Sequence, residues 1–269
     1  MSRIARYRAP VRVAIFVLVL LTLWLPLAVP IYWLGRDANS ISILTMLLLY
    51  GEFIFLLRLW GTNVYRQRQI LQDYGLVNIR RNWLDLGSGL VSGLIAVLCL
   101  FGLEGWLGWL VWLEPSGLPR IILEGFVVAI AVCFAEELVF RGWLLDELQR
   151  DYAFSTALWV NAFIFALLHF IKPLPDIVRT LPQFPALLLL GLTLVWAKRW
   201  KKNRLGLSIG FHAGLVWGYY IINVGQLIKY SGQVPGWITG VNRNPLAGVM
   251  GLLMLSVIAL WMRRRSLNY

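Results

Sequence analysis

Residues 121–141 read IILEGFVVAIAVCFAEELVFR and place two adjacent glutamates and an arginine in an apolar stretch of membrane-spanning length. About 20 apolar residues allow a helix to cross a bilayer, so this stretch is predicted to be a transmembrane helix. Charged side chains inside a membrane are costly and usually serve a function. Glu137 and Arg141 share a helix face at i and i+4 and can neutralise each other. Glu136 has no cation at i+3 or i+4, so it is the carboxylate predicted to be available for chemistry.

The composition defines the class of protein. The chain has 269 residues, of which 59% are hydrophobic and 14% charged, and its mean hydropathy is +0.70. These values predict an all-α polytopic membrane protein. Eight segments are candidates for transmembrane helices, at about 13–34, 43–60, 87–112, 121–142, 154–171, 184–200, 205–224 and 245–262.

The net charge of +12 follows a membrane pattern. Eight spans with a cytosolic N-terminus place six of the 25 lysines and arginines outside and the other 19 inside. This positive-inside bias predicts an integral protein of the cell (plasma) membrane with both termini in the cytoplasm. The lipid bilayer is therefore the expected partner of the basic surface, and we expect no binding to nucleic acid.

The chain has only two histidines, His169 and His212, and both lie in apolar segments. A single histidine in a membrane is more often a hydrogen-bonded packing residue than a catalyst. Two histidines and an unpaired Glu136, all in separate spans, indicate a site that activates water or holds a metal ion.

Sequence spacing predicts that these side chains can meet. Glu136 and His169 lie at similar distances on either side of the polar turn around Asp151 and Tyr152, so an antiparallel helical hairpin brings them to about the same level. The prolines after His169 would let the second helix of the hairpin end early. In the later span, Gly210, Gly214 and Gly218 form a small-residue stripe for close helix packing. His212 is about 160° from Gly214 on the helical wheel, so it points away from that contact.

These residues resemble the motifs of the CPBP family of intramembrane proteases, which includes the eukaryotic CAAX prenyl endopeptidase and bacterial Abi-type proteins. The matching positions are Glu136, Glu137 and Arg141 for the EExxxR motif, Phe165 and His169 for the FxxxH motif, and His212 for the histidine that begins the third motif. The resemblance covers about residues 121–223. It divides the chain into N-terminal transmembrane helices with a basic cytosolic loop (1–120), a catalytic core (121–223), and a C-terminal loop with the last transmembrane helix (224–269).

The resemblance implies an eight-helix membrane fold with a water-filled site open to the cytosol and to lateral lipid, and the activity of a hydrolase. Glu136 would activate water together with His169, and His212 would help to stabilise the oxyanion. Glu137 and Arg141 would brace the helix, with Phe165 as structural support. The family asparagine four residues after the third-motif histidine is replaced here by Val216.

The sequence leaves the metal requirement open. Glu136, His169 and His212 could form a three-ligand zinc site with an open position for water. They come from separate spans and lack the HExxH spacing, so direct activation of water by glutamate and histidine is equally compatible with the sequence.

The leading hypothesis is a membrane-embedded endopeptidase that cuts near the C-terminus of a peptide or membrane-protein substrate. The alternative is a noncatalytic scaffold or chaperone of the same fold that binds client membrane proteins, which Val216 favours slightly. A transporter using Glu52, Glu104 and Glu124 ranks last, because the two halves of the chain show no inverted repeat.

The predicted topology can be tested by thiol labelling. In a background without the native cysteines, cysteines introduced at Ser2 and Asn268 should resist an impermeant thiol reagent in intact cells, because both termini face the cytosol. Both should react after permeabilisation. Labelling of either site from outside intact cells would overturn the eight-span topology.

Overall fold

Long helices form the framework of the protein. The computed structural model describes residues 3–115 and 117–268, and within them eight helices have 15 or more residues. They are α1 (Ala9–Leu34), α2 (Ala38–Trp60), α3 (Arg80–Trp106), α4 (Leu118–Glu137), α5 (Phe154–Leu168), α6 (Phe184–Trp200), α7 (Gly206–Val224) and α8 (Val249–Leu267). The prediction of an all-α fold is confirmed.

Short elements extend and connect these helices. α4 continues into a π-helix at Leu138–Leu144 and an α-helical segment at Leu145–Gln149. The remaining short helices are Ile4–Arg6, Gly61–Tyr65, Ile70–Asp73, Leu174–Thr180, Leu181–Gln183, Gly236–Thr239, Val241–Arg243 and Pro245–Ala247. The strands β1 (Leu110–Trp112) and β2 (Ile228–Tyr230) pair antiparallel, with Val111 opposite Lys229.

Six helical stretches are long and apolar enough to cross a membrane, counting only the part of the chain that the structure describes. They are Ala9–Leu34, Ala38–Tyr65, Arg80–Trp106, Leu118–Gln149, Leu174–Trp200 and Gly206–Val224. The 15-residue α5 is apolar but shorter, and α8 is not among the six. The chain is therefore a polytopic membrane protein, and the number of eight crossings stays a prediction.

A close helix contact joins α3 and α7 through glycines on both helices. A Cβ atom built on Gly210 would lie 2.0 Å from the carbonyl oxygen of Leu86, and one on Gly214 would lie 2.2 Å from that of Leu90. On the opposing helix, a Cβ on Gly93 would lie 2.3 Å from the carbonyl oxygen of Phe211. The predicted small-residue stripe is confirmed, and it holds α7 with His212 facing away from α3, toward α4.

We expect Gly210→Ala to destabilise the protein, because its methyl group would overlap the backbone of α3. The free energy of unfolding should fall by about 1–3 kcal/mol, as is usual for overpacking a tight interior. Thermal unfolding in detergent would measure it. The matched control is Gly87→Ala on α3, where a Cβ meets nothing within 4 Å, so stability there should stay equal or rise slightly. Equal melting temperatures for the two variants would contradict the close contact.

Candidate active site

The two adjacent glutamates lie where α4 changes from α-helical to π-helical geometry. Glu137 is the last α-helical residue, and the π-helix follows it directly. Such wide turns are often found at functional sites. Two carbonyl groups of this π-helix are bonded by buried side chains of neighbouring helices: Asn161 Nδ2 donates to Phe140 O at 2.7 Å, and Lys198 Nζ donates to Arg141 O at 2.6 Å. Asn161 and Lys198 therefore fix the segment that follows the glutamates.

Glu137 and Arg141 form the predicted ion pair in a fully buried position. Arg141 Nη1 donates to Glu137 Oε1 at 3.0 Å, and neither side chain is exposed (0%). The guanidinium also donates through Nη2 to Gly191 O of α6 at 3.3 Å. Its central carbon lies 4.1 Å from the ring centroid of Phe165 in α5. The pair is confirmed, and Phe165 supports it by contact with the cation.

Glu137 has a second partner that the sequence does not reveal. His212 Nδ1 of α7 donates to Glu137 Oε1 at 3.0 Å. The other ring nitrogen, Nε2, lies 3.9 Å from Glu136 Oε2. The imidazole therefore lies between the two neighbouring carboxylates, and Glu137 orients it through one nitrogen while the other faces Glu136.

His169 follows α5 directly and is held by the last turn of that helix. α5 ends at Leu168, which confirms the early stop predicted from the prolines that follow. His169 Nδ1 donates to the carbonyl oxygen of Phe165 at 2.7 Å, and the two rings make an edge contact at 4.6 Å between centroids. A carbonyl oxygen can only accept, so Nδ1 carries a proton, and in the neutral ring Nε2 has the free lone pair.

One cavity of about 250 Å³ brings together Glu136, His169 and His212. These are the three residues predicted to be catalytic, and they come from α4, the end of α5 and α7. Glu136 Oε2 has no hydrogen-bond partner among the described residues. No hydrogen bond joins Glu136 directly to His169 in that part of the chain. The carboxylate thus keeps an oxygen without a protein partner beside two histidine rings.

Other polar groups, outside the predicted catalytic set, line the same cavity. They are Gln183, Tyr219 and Asn244, and the rest of the wall is mainly apolar. Gln183 and Asn244 lie in the short connections around α6 and before α8, where no periodicity singles them out. Val216, at the position of the family asparagine, also lines the cavity, one helical turn beyond His212.

The three predicted zinc ligands do not form a metal-binding group in this arrangement. Within residues 3–115 and 117–268, no three His, Cys, Asp or Glu side chains are placed to hold a metal ion. His212 Nδ1 is already bonded to Glu137, and its Nε2 is 3.9 Å from Glu136 Oε2. Zinc sits about 2.0–2.2 Å from nitrogen and oxygen ligands, so the donors would have to come together around it. The zinc requirement stays a prediction.

Comparison with protein families matches the part of the chain that carries the three predicted catalytic residues. Residues 118–218 match the family model Rce1-like, described as type II CAAX prenyl endopeptidase Rce1-like. This match supports an assignment of the matched region to the CAAX protease family. Glu136, His169 and His212 all lie within the matched region. No curated protein and no solved structure matches the chain significantly.

We expect Glu137→Gln to destabilise the protein strongly, because it leaves the buried guanidinium of Arg141 without a counter-charge. Breaking a buried pair in this way costs on the order of 3–5 kcal/mol. The measurements are the yield of folded protein and its melting temperature in detergent.

The matched control for this variant is Glu124→Gln. Glu124 also pairs with an arginine of α4 at i,i+4 spacing, but its side chain is 45% exposed and that of Arg120 is 83% exposed. Exposed pairs contribute about 0–1 kcal/mol, so the control should unfold close to wild type. Equal loss in both variants, or in neither, would contradict the structural role of Glu137.

Proposed function

We propose that this CAAX-family protein is a membrane-embedded endopeptidase in which Glu136 and His169 activate water. The observation that carries the proposal is the convergence of Glu136, His169 and His212, from three separate helical segments, on one cavity. A packing role would explain each histidine alone. It does not explain why both rings reach one cavity beside a carboxylate oxygen that has no protein partner.

The hydrogen bonds favour different roles for the two histidines. His169 has its Nδ1 proton on a carbonyl, so its Nε2 can accept a hydrogen bond from water and orient it. His212 donates through Nδ1 to Glu137, and its Nε2 lies 3.9 Å from Glu136 Oε2 in the same cavity, so a proton on Nε2 would be placed to donate to an oxyanion. This division assigns water activation to the first histidine and oxyanion stabilisation to the second.

The proposed reaction then proceeds in two proton-balanced stages. Glu136 takes a proton from a water molecule held by His169 Nε2, and the resulting hydroxide attacks the carbonyl carbon of the peptide. The tetrahedral oxyanion accepts a hydrogen bond from His212. When the C–N bond breaks, the proton held by Glu136 passes to the leaving amine, which restores the carboxylate. No step of this scheme passes through a metal ion.

The polar wall of the cavity suits a peptide substrate. Asn244 Oδ1 accepts from Leu246 N at 2.9 Å, which leaves the amino group of its amide available. The amide of Gln183 makes no hydrogen bond within the described residues. An amide side chain can donate to and accept from a peptide backbone at once, so these residues would hold the substrate chain in the cavity.

The proposal includes the substrate and the location of the protein. The substrate is a peptide or membrane protein cut near its C-terminus inside an apolar cavity, and the membrane is the plasma membrane with both termini in the cytosol. A noncatalytic scaffold or chaperone that binds client membrane proteins is the second candidate. It is favoured by one observation, namely that Val216 leaves the cavity without the amide that the family motif supplies.

Replacing Glu136 separates these two candidates. Glu136→Gln should fold with wild-type thermal stability, because its free oxygen has no protein partner to lose, and should reduce turnover by about a hundredfold or more. Substrates would be captured with this variant in native membranes, identified by mass spectrometry against wild type, and then used in the assay. Glu124→Gln, on the same helix outside the cavity, should keep wild-type turnover.

Two further readouts decide the interpretation. Wild-type turnover by Glu136→Gln would falsify the protease proposal and favour the scaffold. Metal analysis and chelation of the same preparations test the mechanism. If zinc co-purifies with wild type, and if His169→Ala and His212→Ala lose both the zinc and the activity, the metal-free scheme is overturned. The endopeptidase proposal would then still stand.

A further inference from the structure

A groove of about 540 Å³ lies outside the catalytic cavity. It runs between α5, α6 and α8, and we call it the arginine groove. Leu158, Trp159, Leu189, Leu192 and Trp196 form its apolar walls. None of the lining residues belongs to the catalytic cavity, so the groove is independent of the proposed reaction.

The charged residues of the arginine groove lie at one end only. Arg199 is the next-to-last residue of α6, and Arg263 lies in the last two turns of α8. α5 begins at the same end with Phe154. Leu189 is ten residues before Arg199, so the apolar wall extends about 15 Å from the cations at 1.5 Å per residue. The groove is thus cationic at its mouth and apolar along its length.

Both guanidinium groups are available to an anion. Among the ion pairs of the described residues, none includes Arg199 or Arg263. The Arg199 guanidinium lies 4.1 Å from the ring centroid of Phe154, which holds it at the mouth without neutralising it. Arg263 is exposed. Two arginines without carboxylate partners favour a phosphate group.

A second groove provides a comparison within the same molecule. It lies between α3 and α8, has a volume of about 600 Å³, and contains no charged residue in its wall. Any membrane lipid can fill such a neutral groove. The arginine groove differs by its two cations, so its chemistry selects for a negative headgroup attached to an apolar chain.

We propose that the arginine groove is a binding site for an anionic phospholipid. The headgroup phosphate lies between Arg199 and Arg263, and one acyl chain lies along the apolar wall toward Leu189. The apolar length distinguishes this occupant from free phosphate, which would leave the wall uncovered. The site would tie α5, which presents His169, to α8 at the level of the membrane surface.

The test compares two lipids with the same acyl chains, phosphatidylglycerol and phosphatidylcholine, by native mass spectrometry of the purified protein. Wild type should prefer phosphatidylglycerol. The double variant Arg199→Gln/Arg263→Gln should lose this preference by about tenfold or more, since each cation contributes to attracting the anionic lipid. Arg263→Gln alone replaces an exposed side chain, so this variant should fold normally. Its preference for phosphatidylglycerol should fall about threefold.

The matched control is Arg81→Gln/Arg264→Gln, which removes two exposed arginines outside the groove and changes the net charge equally. It should keep the wild-type preference. Three results would overturn the proposal: equal binding of both lipids by wild type, equal loss in the two double variants, or displacement of phosphatidylglycerol by inorganic phosphate.

Discussion

The buried ion pair of Glu137 and Arg141 fixes the relative positions of four helices. Arg141 contacts the backbone of α6 at Gly191 and the ring of Phe165 in α5, while Glu137 accepts a hydrogen bond from His212 in α7. A bilayer offers no water to a charge that loses its partner, so none of these contacts can be exchanged for solvent. The segment from the start of α4 to the end of α7 contains the whole matched family region, and the candidate catalytic cavity lies beside the contact that these helices share.

A second buried network attaches the N-terminal helices to this core. Arg12 of α1, with a 2% exposed side chain, donates to Glu147 Oε2 at 2.8 Å, and the hydroxyl of Tyr65 donates to the same carboxylate at 2.6 Å. Glu147 belongs to the matched region, whereas Arg12 and Tyr65 lie outside it. Sequence-specific polar contacts therefore continue beyond the family motifs and make α1 and α2 part of the same rigid structure.

Features that depend on local spacing could be predicted from the sequence. The ion pair at i and i+4, the glycine stripe of α7 and the early end of α5 each follow from helix geometry or from proline. Contacts between helices could not be predicted, because periodicity defines the face of a helix but not the neighbour that the face meets. The hydrogen bond between Glu137 and His212 is one example.

Two cations show that the charge pattern of the sequence does not reveal the partners of individual side chains. Arg12 and Lys198 count toward the positive-inside bias as flanking charges. In the folded protein both are buried, at 2% and 5% exposure, and Lys198 donates to the backbone of the π-helix. The side of the membrane on which a cation lies can be inferred from its position in the sequence, but its partner depends on the tertiary fold.

The π-helix also sets how the side chains before it and after it are oriented about the helix axis. Each residue of an α-helix turns the chain by about 100°, so a widened turn rotates everything after it relative to everything before it. Upstream of the π-helix, Glu137 faces α7, and downstream of it Glu147 faces α1. A chain that lost one residue between 142 and 144 would keep Glu136, Glu137 and Arg141 in place, yet Glu147 would lie on a different side of the helix from Arg12. The length of this segment, as well as its composition, therefore determines whether the core and the N-terminal helices fit together.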